Sequence, residues 1–361
     1  MSKLDDVAKL AGVSRITVTR VVNGSVNVKE STKKAVLNAI AELNYRPNLL
    51  AKSLATNHSH TIGLVMSNIS NPIYAEFVKG VSVCARRYNY DIIISISNDS
   101  DSMLASINTS INKMVDALLV LPADFHRSED LTAEKHRARA QDVQDFYQGF
   151  RRLAEEIKQR NIPIAIYGFD IDIKDIGKTL EDYKTGAFMA TEHLIKLGHR
   201  RIAYLGHILK ESIWLDRFNG YLQALEKYGI EYDPALEMAS ADNIAAAYKV
   251  VSDYIHSNKE LPTALFCAND EMGIGAVQAI RSCGFRVPED ISVIGHDGSA
   301  FSLWLVPNLT MISINPSLAG EMSVKRLIER IDHNEPPCIT MMMPVLVEGG
   351  TTKTYKNSED Q

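Results

Sequence analysis

Arg15, Ile16, Thr17 and Arg20 are crowded near the N-terminus, and their side chains suit the surface of a nucleic acid. A guanidinium fork matches the O6/N7 edge of guanine, an aliphatic side chain can meet a thymine methyl, and hydroxyls hold phosphates. Helical spacing would put these residues on one outward face at the start of a helix, where a recognition helix meets base edges. Thr19 and Asn23, one turn further on, are further phosphate-holding candidates.

The flanking sequence is built to present that face. In LDDVAKLAGVSRITVTRVVNGS, residues 4–25, Leu4, Val7, Ala8 and Ala11 recur at helical spacing. Gly12 supplies a turn, Val13 packs back, and Ser14 stands where an N-cap belongs. Lys3 offers no acceptor to the start of the first helix, so its capping is expected from Ser2. Val13, Val18, Val21 and Val22 face a core. Asn23-Gly24-Ser25 breaks the pattern, and a third helix is expected from Glu30 or Ser31 to about Asn44, with Val36, Leu37, Ile40, Ala41 and Leu43 buried. Pro47 can start a short helix through Ala55, too short to stand alone without DNA or a partner chain. Thr56 to His60 reads as a polar linker.

Charge separates this head from the rest. Residues 1–60 carry nine Lys/Arg against four Asp/Glu, a net of +5, while the chain as a whole is at −5 and the remainder therefore at −10. A basic head on an acidic body suits a small DNA-binding domain joined to a module that does not bind DNA. Lys3, Lys29, Lys33, Lys34, Arg46 and Lys52 add salt-dependent attraction, or are simply solvated surface charges. The four cysteines are scattered without a C-x-x-C pair, which favours reduced thiols in the cytoplasm and speaks against a zinc site. No apolar run is long enough to span a membrane, and no signal-peptide order opens the chain.

From Thr61 apolar strands alternate with helices. Expected strands are 62–66, 91–96, 117–121, 164–168, 201–206, 264–268 and 291–295, with helices at 74–88, 182–197, 217–228, 245–256, 269–283 and 318–331. This order predicts two doubly wound parallel-sheet lobes, whose ligands bind beyond the carboxyl ends of the strands. Asn269 and Asp270 follow a strand and Ile73 and Tyr74 follow another, so they are cleft candidates; Asp270 may instead be read as a helix cap and Tyr74 as core. Residues 124–160 form a long charged segment in which Phe146, Phe150, Leu153 and Ile157 keep helical spacing, so a long helix is expected there. It is open whether this segment is a lid, a dimer element or a neutral surface addition. An enzyme is not indicated, nor any cofactor or metal: Gly273-x-Gly275 lacks a third glycine and lies in a helix, and no nucleophile or metal-ligand constellation is present.

The segments DVAKLAGVS, TRVVNG, YRPN, AKSLA, IGLVMSNISNPIYAEFVKG, TEHLIKLGHRRIAYLG, DRFNGY, ANDEMGIGAV and VPEDISVIGHD occur in this order over nearly the whole chain. In them the chain resembles the lac repressor/galactose repressor family of bacterial transcription regulators. The resemblance implies a helix-turn-helix headpiece (1–46), a hinge helix and linker (47–60), and a core like the sugar-binding proteins (61–350), with a polar tail at 351–361. The first lobe would take about 61–168 and 310–333, the second about 169–309 and 334–350. It also implies a homodimer, a pseudo-palindromic double-stranded operator, and control by a small, sugar-like effector or, alternatively, by a phosphoprotein corepressor. A solute-binding module without a DNA role is the rival outside this class. Leu54 takes the place of the hinge wedge in the minor groove, with Lys52 and Ala55 beside it. Arg217 and Asp297 take the places of paired anchors for vicinal hydroxyls, with Trp214, Phe301 and Trp304 as stacking faces. Four residues depart from the family pattern: Lys3 stands for Thr at the start of the first helix, Thr19 stands for Ser, and His296 and Gly298 replace the usual aromatic and second Asp beside Asp297; the segment 124–160 is also longer than the family norm.

Overall fold

The computed structural model describes residues 3–22, 28–45, 53, 58–67, 69–97, 99–122, 133–207, 212–257 and 260–355, with backbone alone at 133–143 and 212. The chain forms two compact units, 1–60 and 61–361.

In the first unit, α1 (Leu4–Leu10), α2 (Arg15–Val22) and α3 (Glu30–Glu42) enclose Val7, Ala8, Val18, Val21, Val36 and Ala39. Gly12, at φ +65°, closes α1: its N–H bonds the Lys9 carbonyl at 3.3 Å and that of Val13 bonds the Ala8 carbonyl at 3.0 Å. Leu37, expected in the core, is half-exposed, because three short helices enclose too little volume to bury every apolar residue of α3. Asp6 helps cap α1 by accepting the Lys3 N–H at 2.7 Å; the expected cap, Ser2, lies outside the described residues. Of the short helix expected after Pro47, only Ser53 is described, in helical conformation.

The second unit holds two six-stranded sheets. The first contains β1 (Thr61–Met66), β2 (Asp91–Ile96), β3 (Ala117–Leu121), β4 (Ile164–Tyr167), β5 (Gly177–Glu181) and β11 (Ile339–Met342), in the order β11-β5-β4-β3-β1-β2. Its neighbours are all parallel. Successive residues of β1 and β3 point to opposite faces, so each face gathers its own core. Leu64 and Leu119 pack against α4 (Pro72–Arg87) and α11 (Pro316–His333), and Val65 and Val120 against α5 (Ser100–Asn112) and α6 (Ala133–Gln159). The helix expected in the charged segment is α6; Phe146, Phe150 and Ile157 are fully buried, with the two phenylalanine rings stacked at 5.3 Å.

The second sheet contains β6 (Ile202–His207), β7 (Glu237–Ser240), β8 (Ala264–Cys267), β9 (Ser292–Asp297), β10 (Thr310–Ser313) and β12 (Val345–Val347), in the order β12-β10-β9-β8-β6-β7. Only β12 runs antiparallel to its neighbour. Helices α7 (Tyr183–Lys196), α8 (Ser212–Lys227), α9 (Ile244–His256) and α10 (Asp270–Ser282) cover it.

The lobes interleave more than the sequence suggests. The expected division places 177–181 and 339–342 in the second lobe and 310–313 in the first; hydrogen bonding puts β5 and β11 in the first sheet and β10 in the second. The chain therefore crosses between lobes after Glu181, after Ser313 and after Met342. Short strands of similar composition do not reveal which sheet they join, because pairing is a long-range choice. The expected polar tail also begins as packed structure: Thr351 is fully buried, and its hydroxyl and carbonyl both bond Val293 at 2.7 Å.

Candidate effector site and DNA-reading helix

Helix α2 is fixed at its start by Ser14, whose Oγ accepts the Thr17 N–H at 3.2 Å and lies 2.9 Å from the Thr17 hydroxyl. Val18 and Val21 hold its inner face, leaving Arg15, Ile16 and Arg20 exposed, Ile16 at 66%. An aliphatic side chain so exposed on a short helix costs solvation unless something covers it. Arg15 has only a loose, exposed contact with Asp5 at 3.6 Å. Thr19 donates to the Arg15 carbonyl at 3.0 Å, so its hydroxyl must rotate before it can hold a phosphate. Asn23, Lys52, Leu54 and Ala55 lie outside the described residues, as does Arg46.

In the core unit, the carboxyl ends of both sheets contribute to one polar cluster. Arg217 on α8 is almost wholly buried. Its Nη2 donates to Asp297 Oδ1 at 2.5 Å and its Nη1 to the Ala268 carbonyl. The guanidinium lies 4.8 Å from the Tyr183 ring and 4.9 Å from the Trp214 ring, and Trp214 stacks on His207 at 4.9 Å. Gly220 permits this arrangement: a Cβ there would collide with the Lys184 carbonyl, so α8 lies directly against α7. Burial opposes the Arg217 charge, but Asp297, Tyr183, Glu181 and Tyr204 more than restore it, and its pKa is raised.

Asp297 ends β9 at φ +120°, a conformation uncommon for a residue with a side chain. The next residue, at φ +90°, is Gly298, and a Cβ there would strike Ser313 Oγ. The departure from a family-style Asp at this position thus has a local steric reason. His296 is fully buried, and burial followed by the Arg217 charge lowers its pKa, which keeps the ring neutral beside Asp297 at 3.2 Å. Asp270 accepts the N–H groups of Gly298 and Ser299 at 2.9 and 2.6 Å, so it shapes the loop that presents Asp297. Burial and then Asp297 push its carboxyl well above the usual range.

The other expected residues divide. Asn269 is the N-cap of α10, accepting from Met272 at 2.7 Å and donating to the Asp242 carbonyl at 3.2 Å, so its amide is already engaged. Ile73 and Tyr74 are buried in the first lobe's core, in the cluster that includes Tyr167. Phe301 and Trp304 are exposed at 62% and 83% on the short 3-10 turn Ala300–Trp304, while Trp214 alone of the expected aromatics meets the pair.

Three participants escape the sequence reading. Tyr167, at the end of β4, donates its hydroxyl to Glu181, at the end of β5, and Tyr183, two residues on, lies with its ring against Arg217. Burial raises Glu181 to about 7 against the lowering effect of both tyrosines; Asp297 raises it further and Arg217 lowers it. The signal available was an acid at a strand end, Glu181-Asp182-Tyr183, but single residues of this kind have no periodicity to mark them.

Comparison with known proteins accounts for both units. Residues 3–48 match the model "Bacterial regulatory proteins, lacI family", and residues 191–352 match a periplasmic binding protein-like domain. The HTH-type transcriptional repressor PurR of Mannheimia succiniciproducens is 31% identical over 336 residues, 93% of each chain. PurR of Aliivibrio salmonicida is 32% identical over 349 residues, 96% of this chain and 98% of that one. The lac repressor dimer bound to operator and the anti-inducer ONPF superposes with a TM-score of 0.80 at 27% identity, covering 98% of this chain and 99% of that one. A CelR–cellobiose complex superposes at TM-score 0.65, also at 27% identity, covering 97% and 100%. With identity of this extent over almost the full length, and both units matched in order, the chain belongs to the lacI family of bacterial regulatory proteins.

Proposed function

We propose that this repressor binds a pseudo-palindromic double-stranded operator as a homodimer and is controlled by a small, sugar-like molecule held at the Arg217–Asp297 pair. Arg15, Ile16 and Arg20 read base edges in the major groove; Thr17, Thr19 and Asn23 hold phosphates; Leu54, with Lys52 and Ala55, enters the minor groove. The observation that carries the reading is the buried ion pair between aromatic faces, at the strand ends of a core that a basic headpiece precedes. A guanidinium and a carboxylate side by side offer a donor and an acceptor to vicinal hydroxyls, and Trp214 and Tyr183 present faces to an apolar sugar surface. Ile73 and Tyr74 back the first-lobe side from its core, and Asn269 supports the second.

Ligand control needs differential affinity for two states of the core. Three chain crossings allow the lobe angle to change, and that angle sets whether the segment 47–60 is ordered for DNA. Operator DNA places the protein in the cytoplasm, on the nucleoid when bound. The relatives are repressors rather than enzymes, and no catalytic role is proposed.

The test is operator binding by fluorescence anisotropy at fixed salt, with a panel of mono- and disaccharides and nucleobases. Weakened binding identifies an inducer, tightened binding a corepressor. No change with any compound overturns the effector role of Arg217 and Asp297.

A further inference from the structure

We propose that Glu181 is a positioning residue that ties both lobes to the Arg217–Asp297 pair and carries a proton whose release is linked to the state of that pair. The proposal rests on reading the pair as the effector site and adds the regulation of that site by pH.

The geometry is specific. Glu181 is the last residue of β5 in the first sheet, and the chain then crosses: Asp182 caps α7 by accepting the Thr185 N–H at 2.9 Å. The Glu181 carboxyl accepts from Tyr167 of the first lobe, and Tyr183, two residues further on, begins the first helix of the second lobe. The Tyr183 ring in turn lies against the Arg217 guanidinium at 4.8 Å. A change in lobe angle turns the chain between Glu181 and Tyr183, and a shift of Arg217 changes the field at the carboxyl.

Charges facing Glu181 come from several elements. Asp297 on β9 opposes its ionisation, while Arg217 on α8 and the tyrosines of β4 and α7 favour it. His296, beside Asp297, is kept neutral by burial. Both tyrosines are pushed well above their ordinary range, by burial first and then by Glu181, so they remain donors. These opposing influences leave the carboxyl titrating at about 7. A neutral ligand seated between the lobes removes the remaining water from Glu181, which favours the protonated form. Binding of a neutral polyol therefore takes up a proton, and by linkage its affinity falls as pH rises through 7.

The experiment uses the full-length protein. Infrared difference spectra between about pH 6 and about pH 8 should show loss of a protonated carboxyl band that is missing in Glu181→Gln. Tyr167→Phe, which keeps the ring and removes one donor to the anion, should move the midpoint upward. The chain has two tryptophans, so Trp304→Phe leaves Trp214 as a reporter beside Arg217. Its emission should change with the carboxyl band, and that component should vanish in Trp304→Phe/Glu181→Gln; a contribution from His207, stacked on Trp214, would persist in both proteins. With D-ribose and cellobiose as probes, any binding should weaken several-fold over the same range in the native protein and stay level in Glu181→Gln. A Glu181 band that titrates in the ordinary carboxylate range, a Trp214 response unchanged by Glu181→Gln, or sugar binding with the same pH slope in both proteins overturns the proposal. Failure of every sugar to bind would count against the effector reading, whereas the infrared and Trp214 measurements on ligand-free protein still decide the role of Glu181.

Discussion

The headpiece presents its candidate DNA-reading side chains to solvent with little internal use for them, whereas the core buries its candidate effector-site charges and pairs them with one another. Arg15 has one loose exposed contact, while Arg217 is bound at both ends of its fork and flanked by two rings. The difference follows from what each must hold. DNA brings its own dense charge and covers a whole face, so waiting side chains need only be positioned. A small ligand offers few groups, and its site must be desolvated and shaped in advance, with the protein's own charges balancing each other until the ligand arrives. Mutations in the two regions should therefore separate: binding without stability in the headpiece, binding together with stability in the core.

Asp297→Ala is expected to produce the largest effect. It strands a buried guanidinium, which costs about 3–5 kcal/mol, and it should abolish the effector response. Thermal melting alongside anisotropy checks both; a protein that melts normally and still responds would erase the contrast. A pH series on the core sharpens it. Glu181 is raised to about 7 from 4.5, so the folded state holds its proton more tightly and stability falls as pH rises through that window. His199, buried with its pKa lowered to about 4 from 6.5, acts in the opposite sense: stability rises with pH between those values. Each shift corresponds to about 3 kcal/mol. Denaturant melts should show Glu181→Gln gaining stability relative to the native protein as pH rises across about 4.5 to 7.

In the headpiece, Arg15→Ala should weaken operator binding by about 1–3 kcal/mol and leave the melting temperature in place, since the side chain is exposed. An unchanged operator affinity would remove Arg15 from base reading. Ser14→Ala is the smallest of these effects: loss of its cap to Thr17 should destabilise the headpiece by about 1 kcal/mol, read as earlier loss of helical circular dichroism.

Much of the fold was legible because its signals are local. Helical spacing in 4–22, the turn at Gly12 and the cap at Ser14 stand in the order in which the structure uses them, and Phe146, Phe150 and Ile157 marked α6 despite its charge. The expected strands from 62–66 to 291–295 are found within a residue or two of their ends. The site was legible only in part. Arg217 and Asp297, 80 positions apart, were paired through family motifs rather than periodicity. Asn269 was a cleft candidate, but its amide caps α10, a role that the same position after a strand serves equally well.

The sequence alone determined a basic three-helix head, a strand–helix core and most of the buried helix faces, because local propensity and apolar periodicity decide these within short windows. Tertiary structure decided which sheet β5, β10 and β11 join, and that Tyr167, Glu181 and Tyr183 meet at a crossing between lobes. Both are products of long-range pairing, and the unusual character of Glu181 comes from burial and neighbouring charge, which no residue carries in its own identity.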